Sequence, residues 1–275
     1  MPITFFAHQA PVLPLKIKWP HHFCGQALVL GSMAPDFEFF LTGRTQWTLG
    51  HTLPGQFSFC LPLTLLMVWL VSRVIARPLA LHLPDLGQFH LHDYRFLAVT
   101  TRRRGYWLKA IPSALIGSFS HLWWDSFTHT AGWSARHLGY AHRSLFLLGT
   151  HTVAVCKLMQ YGSTLVGGTF TIWLLYGIGS ERSLLHWAGS EPPREEPMPS
   201  KHSLFALWLP PFLFALVGFG ALWYLASIHP SAHNLSFWSA ILLRTTTLGF
   251  LGLCCGCALG SWLMQKHRNP VSDPF

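Results

Sequence analysis

Long apolar runs, broken by short polar clusters, organise this chain. Four runs approach the length a helix needs to cross a bilayer, about 20 mostly apolar residues. They are 57–76 (FSFCLPLTLLMVWLVSRVIA), 163–179 (STLVGGTFTIWLLYGIG), 204–228 (LFALWLPPFLFALVGFGALWYLASI) and 239–263 (ending GFLGLCCGCALGSWL). A fifth segment, 110–129, is charge-free only over 110–124. It either crosses with its far end exposed or packs as a core helix. Pro210 and Pro211 sit inside the third run and predict a kink. The pattern predicts an all-α fold, a polytopic membrane bundle of about 4–5 transmembrane helices, because lipid tolerates only segments that satisfy their own backbone hydrogen bonds.

Composition sharpens this picture. Hydrophobic residues make up 51% of the chain and charged residues 11%, against about 25% charged in ordinary soluble domains. The formal net charge is +9, but no basic stripe with interleaved aromatics occurs in a soluble-looking segment, so nucleic acid is not an expected partner. Positive charge here reads as membrane topology and contact with anionic lipid. The densest basic cluster, Arg77, Arg95, Arg102, Arg103, Arg104 and Lys109, is expected in the cytoplasm. The opening MPITFFAHQAPVLPLK lacks a basic n-region and a clean apolar core, so it does not read as a secretory signal. The expected organisation is a helical membrane core over 1–180, a Pro- and Glu-rich linker over 181–202 and a C-terminal transmembrane pair over 203–275. Six cysteines include CCGC at 254–257; inside an apolar run they read as small packing residues rather than zinc ligands.

Against this background one stretch is out of place. SHLWWDSFTHT, residues 120–130, puts His121, Asp125 and His129 four residues apart. If the helix persists, they share one face. Two imidazoles and a carboxylate suit zinc or another first-row divalent ion, and ionisable groups beside apolar helices are costly enough to mark function. The competing reading is a buried hydrogen-bonded cluster without metal. Further ligands are available near the N-terminus: His8 in FFAHQA, Asp36 and Glu38 in SMAPDFEF, and His51 in GHTLPG. Asp36 could instead cap a helix that starts after Ala34-Pro35, and Glu38 reads as a supporting carboxylate rather than a ligand. His151 is a candidate outer ligand or substrate contact. Histidines 21, 22, 82, 90, 92, 137 and 142 read as loop residues. No P-loop or dinucleotide fingerprint occurs, and GSFSH ends in His121 where a nucleophile elbow needs Gly.

The ordered set MPITFFAHQAPVLPLK, ALVLGSMAPDFEFFL, GHTLPGQFSFCLPL, ALIGSFSHLWWDSFTH and CKLMQYGSTLVGG resembles the domain-of-unknown-function 4184 family over roughly residues 1–260. That family is bacterial and membrane-associated, so the resemblance implies a multi-pass protein of the bacterial cytoplasmic membrane. More distantly, the chain is similar to inner-membrane metal-dependent hydrolases, whose ligand pattern is like that of zinc-dependent phospholipase C. The resemblance implies His8, Asp36, His51, His121, Asp125 and His129 as metal ligands, and a divalent ion, zinc foremost, as cofactor. Asp36 or Glu38 would orient an activated water. It departs where a THS-like motif stands as GHT, with Gly50 and Thr52. The expected function is a membrane-embedded metal-dependent hydrolase of a phosphoester or lipid-linked substrate, with membrane lipid as partner. The alternatives are a non-catalytic scaffold and a transporter that uses the same His/Asp cluster.

Overall fold

The computed structural model describes residues 2–43, 49–148, 151–189, 200–228 and 235–268. Helices dominate. A 3-10 helix, Pro2–Gln9, leads into α1 (Leu13–Lys18) and α2 (Gly25–Thr42). The continuous helix α3 runs Leu53–His82. Then come α4 (Tyr106–Thr128), α5 (Trp133–His137), a hairpin of β1 (Ser144–Leu148) and β2 (His151–Ala154), α6 (Val155–Ser180), α7 (Ser183–Ala188), α8 (Lys201–Ile228) and α9 (Leu235–Arg268). The antiparallel hairpin, with Leu148 opposite His151, departs from an all-α expectation. The turn of helix at 183–188 falls inside the stretch expected to be a linker; residues 190–199 lie outside those described.

Among the described residues three helices are long and apolar enough to cross a membrane: Leu53–His82, Lys201–Tyr224 and Trp238–Gln265. That is fewer than the four to five expected. The reason is dilution. In α6, Gly162, Ser163, Thr164, Gly167, Gly168, Thr169 and Thr171 lower the hydropathy that Leu165, Val166 and Trp173 supply. In α4, Ser113, Ser118, His121, Asp125 and Thr128 are all buried, which gives that helix a polar inner face. α8 continues as helix through Pro210 and Pro211.

The chain divides into two compact units. The first comprises 1–37, 47–68 and 104–178, and the second 38–46, 69–103 and 179–275. In the second unit, α8 and α9 meet through glycines: a Cβ on Gly252 would strike the Pro211 backbone at 2.6 Å, and one on Gly256 would strike the Leu207 carbonyl. Cys257 is buried there with Leu207 and Ile75, as expected for a small packing residue.

The first unit uses the same device for another end. A Cβ on Gly31 of α2 would overlap the Ala114 carbonyl of α4, and one on Gly117 would overlap the Leu28 carbonyl. Ala27, Ala34, Ala110 and Ala114 are wholly buried. Small residues let two backbones approach closely. The Cys24 amide donates to Ser113 Oγ at 2.9 Å and pins the start of the contact. The 3-10 helix is held against α6, where Thr171 Oγ1 donates to the Phe6 carbonyl at 3.0 Å and Gly167 faces Ala7.

Candidate metal centre

The close approach of α2 and α4 brings Asp36 of one to His121 and Asp125 of the other. Asp36 is interior to α2, which begins at Gly25, so the N-cap reading of that residue is overturned. His121 and Asp125, one turn apart on α4, are 0% and 4% exposed. His51 arrives from the segment before α3. Thr52 is the N-cap of that helix: its hydroxyl accepts from the Gly55 amide at 3.1 Å and donates to the Leu49 carbonyl at 2.8 Å. Gly55 is required because a Cβ there would sit on the Leu49 carbonyl. Gln56 Nε2 donates to the Gly50 carbonyl at 2.7 Å. GHTLPG is thus a capped helix start that presents His51, and Thr52 supplies the hydroxyl that Ser would.

Four donors form a closed ring in which histidine and aspartate alternate. His51 Nε2 lies 3.5 Å from Asp36 Oδ1 and 3.7 Å from Asp125 Oδ2. His121 Nε2 lies 3.6 Å from Asp36 Oδ1 and 3.3 Å from Asp125 Oδ2. Charge-assisted hydrogen bonds between such groups are shorter, about 2.7–2.9 Å. Two ligands on one tetrahedral ion with bonds of about 2.0–2.2 Å are separated by ~3.3–3.6 Å. Three of the edges fall in that range and the fourth, at 3.7 Å, is just beyond it; Asp36 and Asp125 themselves belong to different three-donor groups, which share His121. His121 Nε2 is buried without a hydrogen-bond partner, while its Nδ1 donates to the Ser32 carbonyl at 2.8 Å. That second contact fixes the ring and the tautomer, as outer partners of metal-binding imidazoles do.

His8 stacks on His121 with ring centroids 3.9 Å apart. Its Nε2 is 3.6 Å from Asp125 Oδ1. Asp125 thus turns one oxygen to each side. Two groups of donors could hold an ion: His8, His121 and Asp125, and Asp36, His51 and His121. His129 stands past the end of α4, as its C-cap in extended conformation (φ −116°, ψ 144°). The expected helical column therefore ends at Asp125. His129 nevertheless folds back, with Nδ1 3.4 Å from Asp125 Oδ1. Its Nε2 is 3.1 Å from Gln160 Nε2 of α6.

Glu38 is buried but belongs to the second unit and to neither donor group. No cysteine enters either group among the described residues. The side chain of His151 lies outside the described residues. His82, expected in a loop, is in α3 and sits 2.6 Å from the Pro78 carbonyl and 3.0 Å from Ser203 Oγ. Ser32, Gln56 and Gln160 carried no warning in the sequence. Ser32 contributes only its carbonyl, and the two amides read as ordinary helix residues.

The electrostatics favour a cation. Asp36 and Asp125 are the only carboxylates of the first unit, and both are buried. Burial is the largest influence and would raise both pKa values, but His121, His51 and His8 together more than offset it, holding Asp36 low and Asp125 well below the usual carboxylate range. For His121 burial pulls the pKa down, yet Asp125 and Asp36 push it up to about 9. Burial also opposes protonation of His51, but its interactions with the same two carboxylates raise it. Burial and the neighbouring His121 hold His8 at about 3, and burial lowers His129. The ring thus demands positive charge, and His8 offers a neutral imidazole.

A family profile described as Domain of unknown function (DUF4184) matches residues 1–262, and the chain belongs to that family. A search of the curated proteins gave no match, and a search of the solved structures gave none.

Proposed function

We propose that the chain is a membrane-embedded, metal-dependent hydrolase acting on a phosphoester or lipid-linked substrate. The observation that carries this reading is the buried ring of Asp36, His51, His121 and Asp125, whose edges fit an ion better than they fit hydrogen bonds. Two imidazoles and two carboxylates make a nitrogen and oxygen set that suits zinc. An ion bound there would acidify a water and polarise a phosphoryl or acyl oxygen.

The chain's own residues do the rest. Asp36, His51, His121 and Asp125 would hold metal, with His121 oriented by the Ser32 carbonyl. Asp36 would orient the water. His8 and Trp124, with rings 6.4 Å apart edge to face, close one side. The His129 side chain is 23% exposed, against 2% for His8 and His51. It is therefore the group through which the centre exchanges protons with solvent. The three apolar helices support a multi-pass protein of the bacterial cytoplasmic membrane, where a lipid-linked substrate would be at hand.

Elemental analysis of detergent-purified protein tests the reading, followed by a panel of phosphoester and carboxylester substrates. One equivalent of zinc or more, lost in His121→Ala/Asp125→Ala, with turnover that needs the metal, is expected. A wild-type protein without stoichiometric metal would remove the hydrolase reading. Metal without turnover on any ester would favour the scaffold.

A further inference from the structure

Every carboxylate of the first unit is spent inside the centre, which leaves its outer surface without acidic side chains. Seven Lys and Arg remain there. They fall at opposite ends of α4, a helix of 23 residues and hence about 34 Å long. Lys16, Lys18, Arg104 and Lys109 are near its start. Arg136, Arg143 and Lys157 follow its end, where the centre lies, and from 126 to 180 there is no Asp or Glu at all.

Cations at both ends reach backbone carbonyls, but only one end lies beside the centre. At the far end Lys16 donates to the Phe23 carbonyl at 3.1 Å and Lys109 to the His21 carbonyl at 2.6 Å. Both tie down the loop before α2. At the centre's end Arg136 donates to the Ala131 carbonyl, yet Arg136, Arg143 and Lys157 are all exposed and the unit offers them no carboxylate. Arg136, Trp133, His137 and Ala131 line an open depression of about 390 Å³. Trp133 is 72% exposed and stacks on His137, ring centroids 5.0 Å apart. Ala131 is two residues from His129, the half-buried histidine of the centre. Lys157 lies in the first turn of α6, which has no acidic residue there. A lysine at a helix N-terminus opposes the dipole, and an anion seated nearby would relieve that conflict.

The depth is also informative. His51 stands two residues before α3, whose 30 residues span about 45 Å. That exceeds a hydrocarbon core of about 30 Å, so its ends reach headgroup level. Exposed Trp at that level is the usual interfacial anchor. We infer that the face formed by α5 and the start of α6 docks the phosphate of an anionic phospholipid headgroup beside the mouth of the His/Asp centre. The docking rests on the membrane placement in the proposed function, but not on turnover.

Native mass spectrometry of the detergent-purified full chain tests it, titrating phosphatidylglycerol, phosphatidylcholine and inorganic phosphate. Phosphatidylglycerol should bind saturably and more tightly than phosphatidylcholine. Each lost cation should cost about fivefold, so Arg136→Gln/Arg143→Gln/Lys157→Gln should weaken it about 100-fold and Lys157→Gln alone about fivefold. Lys18→Gln/Arg104→Gln, at the other end, should leave it within about twofold. Metal content should be unchanged in all variants, which separates this inference from the metal reading. If the triple variant does not fold, Lys157→Gln decides. Equal affinity for phosphatidylcholine, equal loss in the control variant, no loss in Lys157→Gln, or displacement of the lipid by millimolar inorganic phosphate would overturn the inference.

Discussion

The chain buries carboxylates in two ways. In the second unit Asp93 is 2% exposed and is held by Arg182 as a fork, with contacts of 2.7 and 3.0 Å. That is the geometry of two charges that satisfy each other. In the first unit Asp36 and Asp125 are equally deep, yet their nearest cationic partners stay at 3.3–3.7 Å. The same sequence can place a charge pair at contact when contact is the purpose. The looser spacing leaves donors that could hold a metal ion in two groups sharing His121. A buried pair stabilises only if its geometry is close and its remaining lone pairs are met. Asp93 meets that condition, and under the proposed function the His/Asp donors would meet it with metal bound.

Substitutions can break this contrast. The largest effect is expected from Asp125→Asn, whose carboxylate faces His8, His51 and His121. Metal affinity should fall by more than about 100-fold, beyond the ~10–100-fold typical of losing only an outer-shell partner, as read by elemental content after dialysis. Asp93→Asn should leave metal content unchanged and lower stability by about 1–3 kcal/mol in a denaturation midpoint. Equal metal loss in both variants would erase the distinction. Next in size is chelation. A metal at 100 times its Kd stabilises by about 2.7 kcal/mol, so metal removal should lower the midpoint of wild type but not of Asp125→Asn.

The pH dependence sharpens the contrast further. In metal-free protein His121 is raised from 6.5 to about 9. Its contribution to stability is complete below about pH 6.5 and is lost as pH rises through about 9. His8, lowered to about 3, acts oppositely, removing stability as pH falls below 6.5. Metal-free protein should therefore be most stable near pH 6.5. Metal-loaded protein should keep gaining stability above that pH, because the ion displaces the His121 proton. The smallest effect is expected at the cap. Thr52→Ala should cost about 1 kcal/mol and Thr52→Ser little, measured by thermal unfolding.

Much of the centre was legible because its residues are chemically conspicuous. His121 and Asp125 at helical spacing in an apolar run, and His8, Asp36 and His51 in an otherwise acid-poor N-terminal region, invited the grouping that the fold makes. The third member of the column misled, since a four-residue spacing cannot reveal that the helix ends at Thr128 and that His129 returns through its C-cap. Asp36 misled as a cap because Pro35, a common helix starter, here lies within α2. The span count was overestimated because α4 and α6 share the length of a spanning helix while spending their inner faces on Ser, Thr and Gly. Those residues are ambiguous in a sequence. They read as weak apolar positions until the partner backbone, such as Ala114 against Gly31, shows that closeness is their use.

The central proposal is that the buried donors Asp36, His51, His121 and Asp125 hold divalent metal. X-ray absorption at the metal edge on the purified full chain tests it most directly. The predicted spectrum has two imidazole nitrogens and carboxylate oxygens at about 2.0–2.2 Å with no sulfur, and it is lost in Asp36→Asn/Asp125→Asn. A sulfur shell, or an unchanged spectrum in that double variant, would contradict it.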